Sequence, residues 1–116
     1  LYRLIYIAFF FSIAAFASEE KLAEMDMHIY CSTFATAATH NPKANKEAWE
    51  STAVKHLRAA NKLGASEEYK QKLFNSMMSN LEKEVKSKGI SDEQAPEMIQ
   101  MLYFKYKCSS IKFPSE

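Results

Sequence analysis

The residues of this chain best equipped for chemistry are six methionines, three histidines and two cysteines. The methionines gather as Met25-Asp26-Met27-His28, Met77-Met78 and Met98-Ile99-Gln100-Met101. Thioethers and an imidazole are soft ligands suited to Cu(I). Against that reading, the helical period sets Met25 and Met27 about 200° apart, so one helix cannot aim both at one ion. Met27, Met77 and Met101 also fall on helical stripes where methionine fills gaps in a core. The histidines His28, His40 and His56 lack H-E-x-x-H or any other ligand spacing, and each reads as a surface or boundary residue. No C-x-x-C-H attachment for haem is present.

Cys31 and Cys108 read as one disulfide joining the first helix to the last. With both thiols committed, no nucleophile–base pair stands out. Two glycines cannot build a phosphate loop. Ser18-x-x-Lys21 and Ser109-x-x-Lys112 match the S-x-x-K spacing of penicillin-binding enzymes, but those enzymes need two further motifs. The chain reads as a non-enzyme with no cofactor and no metal.

Address comes from the first 17 residues, LYRLIYIAFFFSIAAFA, in which Arg3 is the one charge. An apolar run, then Ala15-Phe16-Ala17, then Ser18-Glu19-Glu20, is the layout of a secretory signal peptide cleaved after Ala17. The apolar run is shorter than the roughly 20 residues of a membrane span, so no stable anchor is expected after cleavage. Cleavage removes Arg3 and leaves 99 residues with 14 basic and 14 acidic side chains. Without a basic excess, nucleic acid is not an expected partner. An exported chain with two cysteines fits an oxidising compartment, periplasmic or extracellular.

The elements that position these residues are helices. Both glycines and all three prolines lie where helices should begin or stop, and no strand or hairpin signal appears. The expected fold is a small all-α, four-helix bundle-like domain over 18–116, with helices at about 19–40, 43–63, 67–88 and 96–109. Ser18 and Ser66 are the expected N-caps of the first and third. Asn41-Pro42 disfavours continuation of the first helix. Gly64 and Gly89 supply left-handed C′ positions, and Ile90 after Gly89 suggests a Schellman stop. Pro96 would clash inside a helix capped at Ser91, so a short turn over 91–95 should precede the fourth.

Their apolar faces are legible too. Ala23, Met27, Tyr30, Cys31, Phe34, Ala35 and Ala38 form one stripe on the first helix. Trp49, Ala53, Leu57 and Ala60 form the second, with His56 on its flank. Tyr69, Leu73, Met77, Leu81 and Val85, widened by Phe74 and Met78, form the third. The bridge would close a loop of nearly the whole domain, worth roughly 4 kcal/mol on chain-entropy grounds.

Two functional expectations follow. The first is a periplasmic or secreted protein that binds another protein, as an inhibitor, immunity protein or adaptor does. Its surface would be Tyr103, Tyr106, Lys105, Lys107 and Phe113, where aromatics alternate with lysines near the bridge. The second is a carrier of a small apolar ligand between the helices, lined by Met27, Phe34, Phe74, Met77, Met98 and Leu102. That reading requires a cavity of about 300 Å³ or more. A stress chaperone that loosens in acid is a further alternative.

Overall fold

The computed structural model describes residues 12–114, with side chains from Ala23 onward. Four α-helices follow one another: α1 (Ser12–Ala38), α2 (Lys46–Lys62), α3 (Glu67–Ser87) and α4 (Ala95–Lys105). A 3-10 turn, Cys108–Ser110, comes after them, and the described residues contain no strand. The fold is all-α and bundle-like.

Local chemistry accounts for the helix ends. Asn45 accepts a hydrogen bond from the Ala48 amide and caps α2, and Ser66 does the same for α3 through the Tyr69 amide. Gly64 and Gly89 have positive φ angles of 105° and 66°. At each, the next amide reaches back five residues, Ala65 to Ala60 and Ile90 to Val85. These are the 6→1 bonds of a Schellman stop. The Ser91 hydroxyl and carbonyl take the amides of Gln94 and Ala95, so a tight turn precedes α4 and Pro96 falls in its first turn. Proline costs nothing there, because the amide it lacks would have had no helical partner.

Two boundaries differ from the expectation. The leader expected over 1–17 falls mostly outside the described residues, but α1 is helical from Ser12 onward. Its backbone runs helical through position 18, with no glycine or proline from 12 to 38. At the other end, α4 stops at Lys105. Lys107 takes a left-handed conformation, φ 58°, which reverses the chain and returns Cys108 to α1.

Cys31 and Cys108 form the expected disulfide, with Cα atoms 5.6 Å apart and a sequence separation of 77. Such a bridge points to an oxidising, non-cytoplasmic compartment. No described helix is long and apolar enough to cross a membrane.

The α1 helix is the axis of the molecule. No side chain from Met25 to Ala35 on it is exposed, so its buried surface is far wider than the single stripe expected. Ala23, placed on that stripe, is exposed. The main core joins Cys31, Phe34, Ala35, Ala53, Leu81, Ile99, Tyr103 and Cys108. A second cluster joins Met25, Ile29 and Ala60, with Leu63, Tyr69 and Leu73 against it. Leu57 and Met101, also expected in the core, are instead 36% and 67% exposed.

Candidate functional site

The two flanks of α1 are built differently. On the α2 side many of the buried residues are small, Cys31, Ser32 and Ala35 on one helix and Ala53, Ala59 and Ala60 on the other, with Met25 and Ile29 packed against Ala60. Small side chains let the backbones approach closely, and the Ser32 hydroxyl donates across the gap to the Ala53 carbonyl at 3.0 Å. Into this seam the two helices each send one imidazole, His28 and His56, neither with any exposed surface.

The partners of these rings fix their protons. The Nε2 of His28 lies 3.0 Å from the Lys112 carbonyl oxygen, which can only accept, so His28 carries its proton on Nε2. Its Nδ1 is then an acceptor and meets the Nδ1 of His56 at 2.9 Å, which must donate. That leaves the Nε2 of His56 to accept from the Tyr103 hydroxyl at 2.9 Å. The protons run in one direction, Tyr103 to His56 to His28 to Lys112, with both imidazoles neutral and every ring nitrogen used. The Phe113 ring closes the seam, its centroid 5.0 Å from each imidazole. Trp49 packs edge-on to Tyr103 at 5.0 Å from the α2 side.

Burial disfavours the charged form of both histidines. His56 is lowered from 6.5 to about 4, first by desolvation and then by repulsion from His28. His28 is also lowered by desolvation, against partial restoration by the Lys112 carbonyl and by Glu24 one turn away. Burial raises the Tyr103 phenol.

These positions correct the sequence reading. His28 and His56 are core residues, whereas His40 is exposed as expected. Tyr103 was assigned to a surface patch but is 6% exposed and holds His56. A sequence signal did exist: His56 has Ala53 three residues before it and Ala60 four after, on the same small-residue face.

On the opposite flank α1 meets α3 and α4 around a groove of about 640 Å³. Its floor is Tyr30 and Phe34, one turn apart on α1. One wall is a single face of α3, Leu73, Met77, Leu81 and Glu84 among others, and the other is Met98, Met101, Leu102 and Lys105 of α4. Both walls follow the i, i+3, i+4, i+7 spacing that puts residues on one side of a helix. Tyr106 stacks on Phe34 with centroids 5.5 Å apart and closes one end.

The side-chain hydrogen bonds that tie α3 to its neighbours lie in its first turns, while Leu81 and Val85 are buried further along. The Tyr69 hydroxyl donates to Asp26 of α1 at 2.5 Å, and this bond to a carboxylate pushes its pKa up to about 12. Lys70 bonds Asn61 of α2 and Glu67 of its own helix. Beyond Leu73 the helix packs against the main core through Met77, Met78 and Leu81, and the groove opens between it and α4.

Phe34, Met77, Met98 and Leu102, four of the expected pocket residues, line the groove. The other two do not. Met27 packs against the main core, and Phe74 faces a smaller pocket of about 230 Å³ beside Ile29 and Lys70. The expected aromatic and lysine patch is divided: Lys105 and Tyr106 border the groove, Lys107 makes the left-handed turn, and Phe113 covers the histidines. Among the described residues, no three His, Cys, Asp or Glu side chains gather as a metal site would require. No protein-family model, curated protein or solved structure matches the chain.

Proposed function

We propose that this chain is an exported, non-enzymatic carrier that holds a small apolar ligand in the groove between α1, α3 and α4. The observation that carries the reading is the groove itself. Its volume of about 640 Å³ lies inside the usual range of ligand sites, about 300–1,000 Å³. Methionines on both walls give it lining that adapts to shape without polar demands. Glu84, Lys88 and Lys105 stand among its lining residues as the charged groups available to a polar end of the ligand. Export, to the periplasm or beyond the cell, is supported by the leader-like first 17 residues and the disulfide.

A titration with the fluorescent apolar probe N-phenyl-1-naphthylamine tests this. The chain should bind it at one site, and Leu102→Gln should weaken binding at least tenfold, because a buried amide would sit against the ligand without a partner. Equal binding to both proteins, or none to either, would overturn the reading.

A protein partner is the second reading, and the exposed side chains of α4 and its end favour it. Met101, Phe104 and Tyr106 are 67%, 56% and 53% exposed along one short helix and its end. Exposed aromatics of this kind are frequent anchors in interfaces.

A further inference from the structure

The histidine seam lies on the other side of α1 from the groove, and the carrier reading makes no use of it. We propose that the Tyr103–His56–His28–Lys112 chain is an acid-operated latch, which holds the C-terminal tail, residues 111–114, against α1 and α2 and releases it when both imidazoles are protonated.

The geometry limits how many protons the seam can take. In the neutral state all four ring nitrogens are satisfied. A first added proton has a place: His56 takes it on Nε2, Tyr103 turns from donor to acceptor, and the Nδ1–H of His56 still points at His28. A second proton has none. It must sit on Nδ1 of His28, where two N–H groups would face each other across 2.9 Å. The bridge then breaks, and two like charges repel inside a seam with no exposed surface on either ring.

The tail is what such a break sets free. Beyond the 3-10 turn it is extended, and the interactions found there are the Lys112 carbonyl on His28 and the Phe113 ring over both imidazoles. Cys108, bridged to α1, keeps the released segment attached.

Among the described residues, no carboxylate bonds either imidazole. Glu24 of α1 acts on His28 from a distance and opposes its desolvation only in part. From α2 the facing group is His56, from α4 the Tyr103 phenol, and from the tail a peptide carbonyl. The α3 helix supplies none of these partners. A metal ion is a poor fit between the rings: nitrogens held at about 2.0–2.1 Å in a tetrahedral shell would stand roughly 3.3 Å apart, wider than the 2.9 Å found.

The sign of the effect follows from proton counting. A docked tail is matched to neutral imidazoles, whereas free imidazoles titrate near 6.5. The docked state binds fewer protons, so docking is complete above about pH 6.5 and is lost as pH falls toward and through the docked-state values. The first proton is held with the tail still docked, so release follows the second proton and should show the slope of a single titration.

The test is 15N NMR on the full disulfide-bonded chain between pH 7.5 and 3. Imidazole nitrogen shifts report the protonation state, and the heteronuclear NOE of the amides of residues 111–113 reports tail mobility. The proposal expects a rigid tail at pH 7.5 that becomes mobile as the imidazoles titrate in acid, with helical circular dichroism retained. Tyr103→Phe removes the donor that keeps His56 Nε2 occupied, so release should move up by roughly half to one pH unit, the worth of one hydrogen bond. His56→Gln cannot take a proton and should keep the tail docked to pH 3. A tail already mobile at pH 7.5, a tail that stays docked through the imidazole titration, loss of all helix in the same step, or unchanged release in His56→Gln would each overturn the proposal.

Discussion

The two flanks of α1 show opposite ways of finishing a helical interface. Towards α2 many residues are small, and the polar groups in between satisfy one another down to the last ring nitrogen. Towards α3 and α4 the residues are long and apolar, and the helices stand apart around an open groove. Since one helix supplies both faces, the difference is not one of helix propensity. It comes from side-chain size and from what fastens each neighbour. The α2 helix is hydrogen-bonded to α1 at its middle, by Ser32 to Ala53 and by the imidazole pair, whereas the hydrogen bonds that fasten α3 lie near its start, at Tyr69 and Lys70.

Breaking the closed flank should have the larger consequences. Cys108→Ser removes a cross-link spanning 77 residues, the anchor of the turn that returns to α1. The chain-entropy cost is about 4 kcal/mol, which for a domain of this size lowers the melting temperature by roughly 15–30 °C. Scanning calorimetry of the variant beside the reduced wild type measures it, and an unchanged melt would show that the closed flank holds without its staple.

Next in size is a pair of substitutions that sets one flank against the other. His56→Ala leaves the Nδ1 of His28 and the Tyr103 hydroxyl without their partner and opens a void, and should cost about 2–4 kcal/mol in urea unfolding. Leu102→Ala, on a half-buried groove wall, should cost about 1 kcal/mol, because little of the space it leaves was packed to begin with. Equal costs would erase the distinction between the flanks. The smallest effect on stability belongs to Met101→Lys. At 67% exposure the side chain contributes little to folding, so stability should stay within about 0.5 kcal/mol, while affinity for an apolar probe falls because a charge now stands at the lip.

Helix ends were legible in the sequence because the chemistry that sets them is local. Ser66, Gly64 and Gly89 act within a few residues of themselves, and each does what its type implies. The disulfide was legible because only two cysteines exist to pair. The groove was legible in part: Phe34, Met77, Met98 and Leu102 lie on stripes that must converge, but the side of α3 that carries Phe74 depends on how the helix is rotated about its axis. The histidine seam was not legible as a unit. His28 and His56 lie 28 residues apart and Lys112 a further 56 beyond, and the tail's contribution is a backbone carbonyl, which no side-chain pattern announces.

The account's central claim is that the open flank is a ligand site. Native mass spectrometry of the protein recovered from its own compartment, followed by the same sample denatured, tests it most directly. The account predicts a chain carrying a small apolar molecule that is lost on denaturation. A bare chain, or one whose extra mass is another protein, would contradict it.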